Sequence, residues 1–423
     1  MLLCCAGQAA CCAGQACCSM MCGCCSGCGA SKKHFSKIGY LMLSLLCLGF
    51  SFMLLFYAKD IFDEYSFILQ CPEKGSVCMG ISAVFRMSMV LALFHLSLAI
   101  ILAISKTFDT EAGSVLNDGC WSFHFIAIAV LFIASFWITT DIIIVYAYIS
   151  RFVSMIFLIF QGICILSLAY KFNEFLVEFY NESGSTTSLI LLISFTAGIY
   201  LFDFILLWLL YKWFGGCFFN VFLLVLFIAV AIIFTTLTAL RTRENASILT
   251  NGIVLSYILY LTWAALASDP DEKCNTLMHS QNANIVQVIL GVAFTVISIL
   301  IFPLIIQDGG SSSSLSDEEQ PLDEVDVGGK KVDVEDSYIF PLSYETIYFH
   351  VMMMCASCYY AMLLSNWNDL GSLTAHPDPE KDEYFTSTKF SLWMKLFSKF
   401  CCYLIFLWSL IGPLILPDAD WDI

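Results

Sequence analysis

Residues 217–240 read CFFNVFLLVLFIAVAIIFTTLTAL, twenty-four positions without a single charge. At about 1.5 Å of rise per residue, a helix of that length reaches across the roughly 30 Å hydrocarbon core of a bilayer. A barrel strand would cross in about half as many residues and would alternate apolar with polar side chains, which this stretch does not. Inside lipid the backbone must satisfy its own hydrogen bonds, and an unbroken helix does so within one segment. The stretch reads as a transmembrane helix.

Working outward, nine further segments are long and apolar and interrupted by only a few charges: 38–58, 82–105, 121–140, 150–173, 188–211, 249–267, 285–306, 343–365 and 393–416. The expected fold is an all-α polytopic membrane protein of about ten transmembrane helices. Four regions follow along the chain: a Cys-rich membrane-proximal segment at 1–37, helices one to eight over 38–306, an acidic disordered loop at 307–342, and helices nine and ten with a short tail over 343–423. The composition agrees, with 59% hydrophobic and only 13% charged residues, about half the charged share of a water-facing surface. A net charge of −16 excludes nucleic acid as a partner, since phosphate binding needs a basic face. Residues 1–31 carry no Lys or Arg, so the basic region of a signal peptide is missing.

Charge counting does not orient the bundle. With the N-terminus cytosolic, nine Lys and Arg fall inside and nine outside, the outer set including Arg151, Lys395 and Lys399. Cysteine favours the N-terminus inside. Cys71 and Cys78 in the first loop, candidates for a disulfide, and Cys274 in the loop after span seven then face an oxidising compartment. The acidic loop, with SSSSLSDEEQPLDEVDVGG, becomes cytosolic, and Ser316 before three acidic residues is a candidate phosphorylation site. The sequons at Asn181 and Asn245 face the cytosol and stay unused. Ten cysteines lie in the first 28 residues. On the cytosolic side they remain thiols, and the heptad-spaced Cys4, Cys11 and Cys18, with Cys5, Cys12 and Cys17, are candidates for S-palmitoylation beside Lys32 and Lys33.

Ionisable groups within spans are costly and often functional. Arg86 falls in span two, Asp203 in span five, and Asp141 and Arg151 at facing ends of spans three and four. Thr196, Tyr200 and Asp203 share one helical face by their spacing. Together the six form a candidate polar track for a lipid headgroup or for serine. The alternative is an Arg–Asp pair that only fixes helix packing. His95 is nine residues from Arg86 and on the opposite face, a hydrogen-bonded packing residue, and His124 is interfacial. No nucleophile elbow, P-loop or HExxH motif occurs, and CGCCSGC at 22–28 lacks the second half of a zinc set. No catalysis, metal or cofactor is expected.

Several stretches carry a resemblance. YLTWAALASDPDEKCN at 260–275, AVFRMS at 83–88, GCWSFH at 119–124, the SDEE-bearing loop and YFHVMMMCASCYYAMLLSNW at 348–367 follow in order over nearly the whole chain. The chain resembles the serine incorporator (Serinc) family. That resemblance implies ten spans in two helical subdomains joined by two long crossing helices, here spans four and eight. It implies a non-catalytic protein that promotes the incorporation of serine into phosphatidylserine and sphingolipids. The alternatives are a scramblase moving phospholipids between leaflets along a polar groove, and a coupled small-solute transporter. The expected partners are phospholipids, sphingolipids, serine and serine-lipid synthases, with a homo-oligomer left open. The expected location is the endoplasmic reticulum, Golgi or plasma membrane, with both termini cytosolic.

Overall fold

The computed structural model describes residues 32–61, 77–108, 110, 113, 116–117, 121–240, 247–277, 280–311, 344–365, 367 and 387–416. Ten long helices and no strand occur among them: α1 Lys32–Ile61, α2 Val77–Thr107, α3 Trp121–Ser135, α4 Thr140–Ser183, α5 Thr186–Phe214, α6 Phe218–Ala239, α7 Ile248–Leu266, α8 Gln281–Ser311, α9 Tyr344–Leu364 and α10 Ser387–Ile415. Nine are long and apolar enough to cross a bilayer. The chain is an all-α integral membrane protein.

The helices gather into two groups of four. Helices α1, α2, α3 and α9 pack together, with α2 against α9 and α1 as the largest contacts, and in the second group α5, α6 and α10 surround α7. Helix α4 lies between, touching α2 and α9 on one side and α5, α7 and α10 on the other. Helix α8 packs on α4 and α9, while its Phe294 ring stands 5.3 Å from that of Tyr257 and 4.9 Å from that of Tyr260 on α7. The two bridging helices are those implied by the resemblance.

Lipid gives helices no hydrophobic reason to associate, so packing and polar contacts decide which ones sit inside. The burial follows that rule: 83% of the α7 crossing stretch and 78% of that of α9 are buried, against 6% for α5. Helices α7 and α9 are also the least apolar of the nine. Their Tyr, Ser, Thr, Asn and His side chains find partners only in the interior.

Three expectations change. The third segment is a helix of 15 residues, about 22 Å long and short of the hydrocarbon thickness. Its apolar run continues through the turn at Phe136, Trp137 and Ile138, and composition alone cannot see that turn. The fourth helix starts at Thr140 rather than near 150 and runs 44 residues, about 66 Å. Asp141 and Arg151 therefore lie on one helix, not at facing ends of two. Lys395 and Lys399, counted with the outer side in the charge tally, are buried inside α10.

Local signals set the joints. Gly184 takes the left-handed conformation (φ 55°) after α4, and its N–H donates to Tyr180 O. Ser185 then caps α5 by accepting from the Thr187 N–H at 3.2 Å. Ser247 caps α7, accepting from Thr250 N–H at 3.1 Å. A disulfide, Cys217–Cys274, ties the α5–α6 corner to the loop after α7. The sequence reading had Cys274 without a partner and Cys217 as the first residue of a span. Cys71, the N-terminal cysteines, Ser316 and Asn245 lie outside the described residues, and Cys78 falls in the first turn of α2.

Candidate functional site: a polar groove among α5, α6 and α7

Helix α5 presents Tyr200 and Asp203 toward α7, three residues apart and hence on one face. The Asp203 carboxylate accepts from Ser256 Oγ at 2.7 Å, while its second oxygen is buried without a hydrogen-bond partner. Tyr200 donates its hydroxyl hydrogen to Ile248 O at 3.2 Å and accepts from Asn251 Nδ2 at 2.8 Å. Asn251 Nδ2 also donates to Thr235 Oγ1 on α6 at 2.9 Å, and Thr235 returns to Ala231 O of its own helix. The close approach of α5 to α7 depends on Gly252. A Cβ there would stand 3.0 Å from Ile199 Cγ2 and 3.1 Å from Tyr200 Cε2.

Beside this network runs a groove of about 350 Å³, lined by Tyr200, Asp203, Phe204 and Leu207 of α5, Phe227 to Thr236 positions of α6, and Leu255 of α7. Polar groups occupy one strip of it and aromatic or aliphatic side chains form the walls. Asp203 lies eleven residues before the end of α5 at Phe214, about 16 Å along the axis. The site therefore sits at the depth of the hydrocarbon core.

The six track residues do not form one surface. Tyr200 and Asp203 meet in the groove, and Thr196 donates to Leu192 O, one turn earlier. Arg86 belongs elsewhere: it is fully buried on α2, donates to Ser135 O and, at 3.0 Å, to Ile138 O, and lies 5.7 Å from the Phe136 ring. It caps the C-terminal end of α3, where the helix dipole favours a cation. Among the described residues no Arg–Asp pair forms there. Arg151 is buried with its guanidinium 5.1 Å from the Tyr148 ring, and Asp141 is exposed in the first turn of α4.

Sequence reading missed Thr235, Asn251 and Ser256. The available signal was an Asn inside the start of an apolar segment, in the first turn of α7, where it must find a protein partner. It also missed a second polar cluster. His95 Nδ1 lies 3.0 Å from His350 Nδ1, His350 Nε2 is 2.8 Å from Asn117 Oδ1, and Ser44 Oγ is 3.5 Å from His95 Nε2. One arrangement of protons satisfies all of these: Ser44 donates to His95, His95 to His350, and His350 to Asn117. Both imidazoles are then neutral, and the cluster joins α1, α2 and α9.

Comparison with known proteins matches the profile of the family described as Serine incorporator (Serinc) over residues 10–419. A membrane protein of Schizosaccharomyces pombe is 30% identical over 82% of this chain and 80% of its own length. A probable serine incorporator of Dictyostelium discoideum is 25% identical over 92% and 95%. Serine incorporator 3 of Mus musculus is 24% identical over 84% and 82%. Ten helices in two groups, bridged by α4 and α8, and a match that spans almost every residue lead to one conclusion: this chain belongs to the serine incorporator family.

Proposed function

We propose that the protein supports the incorporation of serine into phosphatidylserine and sphingolipids without catalysing it, by holding an amphiphile in the α5–α6–α7 groove. The observation that carries this reading is the pairing of a polar strip with apolar walls at hydrocarbon depth. A headgroup or serine would meet Tyr200 and the free oxygen of Asp203, an acceptor suited to an ammonium, while chains stay against Phe204, Phe227 and Ile232. The partners on this reading are phospholipids, sphingolipids, serine and a separate synthase.

The groove also favours a second reading, scrambling, because two of its three helices, α5 and α6, are mostly exposed, α5 above all. Headgroups would pass along the polar strip while tails remain in the bilayer. Reconstitution separates the two. Leaflet exchange of fluorescent phospholipid in proteoliposomes, abolished by Asp203→Asn, supports scrambling. Unchanged exchange, with a fall in labelled serine-derived lipids when cells carry Asp203→Asn, supports the accessory role. Normal lipids and normal exchange in that variant would remove the groove from both.

The proposed orientation has both termini cytosolic, in an endomembrane or the plasma membrane. The disulfide supports it. Counting all ten helices alternately from a cytosolic N-terminus, with α3 and the apolar turn at Phe136 to Ile138 taken together as one crossing, puts Cys217 and Cys274 on the outer side, where disulfides persist. The charge count supports it too. Arg151, Lys395 and Lys399 are buried in the protein interior, so the outer nine become 9 − 3 = 6 against nine inside.

A further inference from the structure

Asp203 carries a charge that nothing in the groove balances. It is 8% exposed, one carboxyl oxygen accepts a single hydrogen bond, from Ser256 Oγ at 2.7 Å, and the other is buried with no donor. No cation faces it among the described residues. Helix α6 holds no Asp, Glu, Lys, Arg or His, and α7 offers only the hydroxyls of Tyr257 and Tyr260 as titratable groups. Tyr257 turns to α4, donating to Leu158 O at 2.9 Å. Helix α4 sets its Phe172 ring 5.6 Å from that of Phe195, two turns before Asp203. From 152 to 170 it has no charged residue, only Cys164 and Tyr170 as weak acids. On α5 itself Tyr200 is engaged with Ile248 O and Asn251, and the Nζ of Lys212, nine residues on, stands 5.6 Å from the Trp208 ring.

An ionised carboxylate at hydrocarbon depth with one hydroxyl donor is costly, and its neutral form is not. Two states avoid a net buried charge: the carboxyl with its own proton, or the carboxylate against a cationic ligand. The groove, of about 350 Å³, leaves room for an ammonium headgroup beside the carboxyl.

We infer that Asp203 holds a proton while the groove is empty and gives it up when a primary ammonium binds, so that the groove exchanges a proton for an amine headgroup. The carboxyl O–H bond breaks, the proton passes to water, and the carboxylate accepts an N–H hydrogen bond from the ammonium, which keeps all its own protons. The groove is neutral before and after. Ser256 is the positioning residue: its hydroxyl donates to the ionised form and so sets the pH at which the two states balance. The exchange rests on the amphiphile-holding role proposed above and adds its regulation: acidification releases amine lipids, and rising pH favours them.

Binding of a short-chain phosphatidylethanolamine to the full chain in phosphatidylcholine nanodiscs tests this. Calorimetry from about pH 5 to 8, in two buffers of different ionisation enthalpy, counts the protons released. On the acid side of the midpoint, affinity should fall about tenfold per pH unit, with about one proton released per lipid bound. Asp203→Asn should bind weakly, with neither pH dependence nor proton release. Ser256→Ala should keep the release but move the midpoint to higher pH, a result readable even if Asp203→Asn does not fold. Constant wild-type affinity with no proton released would overturn the exchange and leave the holding role standing. A pH dependence that survives in Asp203→Asn, or a midpoint unmoved by Ser256→Ala, would sink the assignment to Asp203. No binding at any pH would remove the holding role and the exchange together.

Discussion

Arg86 and Lys395 stand in the same relation to the helices beside them. Each is buried, each lies within the first third of its own helix, and each donates to oxygens at the C-terminal end of a neighbour: Arg86 on α2 to Ser135 O and Ile138 O, Lys395 on α10 to Ala264 O and Ser268 Oγ. One pair lies in each four-helix group. A cation at a helix C-terminus complements the dipole, and in lipid it also occupies carbonyls that water would otherwise serve.

Replacing Arg86 should therefore cost stability and leave the groove alone. Hydrogen bonds to a charged donor contribute about 1.5–3 kcal/mol, and Arg86→Met should lose about that much in thermal or denaturant unfolding. Binding of an amine-bearing lipid analogue to folded Arg86→Met should match the wild type. A loss of binding in protein that is still folded would return Arg86 to the polar track.

Asp203 is the opposite case. Asp203→Asn keeps the shape and the Ser256 contact but removes the charge. A charge-assisted contact of about 1.5–3 kcal/mol corresponds to a drop of about ten- to a hundredfold in affinity for an ammonium-bearing headgroup. Titration of an ethanolamine or serine lipid into nanodisc-embedded protein measures it, with a choline lipid of the same chain length as the control.

Gly252 sets how near α5 comes to α7. Gly252→Val places methyl groups where Ile199 and Tyr200 already stand. Overpacking of this kind costs about 1–3 kcal/mol, and here it should separate Tyr200 from Asn251. Both the melting temperature and headgroup affinity should fall, and Gly252→Ala should lie between Val and the wild type.

The disulfide gives a side-specific test. Maleimide-polyethylene glycol should modify Cys217 and Cys274 only after reduction, and a membrane-impermeant reductant added from the non-cytosolic side should suffice. Cys217→Ser should lower stability by about 2–4 kcal/mol. Reduction achieved only from the cytosolic side would invert the proposed topology.

Asp269, just past α7 and outside the membrane-spanning helices, is held above its usual carboxylate range. Burial is the main cause, opposed by the backbone N–H of Asp271 and by Lys389, while the Asp271 charge adds to it. A carboxyl whose folded value is raised binds its proton more tightly when folded. Its contribution is thus present at low pH and lost as pH rises from the unfolded value through the folded one. Asp269→Asn should flatten the stability profile just above the ordinary carboxylate range and slightly raise Tm at neutral pH.

The spans were legible because twenty apolar residues in a row have few other homes, and nine of the ten segments became single helices long enough to cross. Their ends were less so. Thr140 to Ser150 is apolar enough to continue either α3 or α4, and the turn that decides between them is made by backbone groups around Ile138 that Arg86 occupies from another helix. Polar partners were legible only where they were local. Tyr200 and Asp203 share a face and could be paired from spacing. His95 and His350 are 255 residues apart in sequence, and Tyr257 reaches Gln161 across 96; spacing carries no trace of such meetings. The lysines of α10 were misplaced for a related reason, since charge counts treat a cation near a helix start as solvated and cannot see a neighbouring helix end waiting for it.

Helix α5 has only 6% of its crossing stretch buried, yet its Cys217 end is bound covalently to the loop after α7 and its other end turns through Gly184 and Ser185 into α4. It is in effect a door with its hinge at the disulfide. Lipid on its flanks offers little resistance to rotation, whereas the hinge side is fixed, so any widening of the groove must be greatest toward Thr186 and least toward Phe214. An amphiphile entering beside Tyr200 would come from the leaflet on the Thr186 side, and reduction of one sulfur–sulfur bond would remove that directionality.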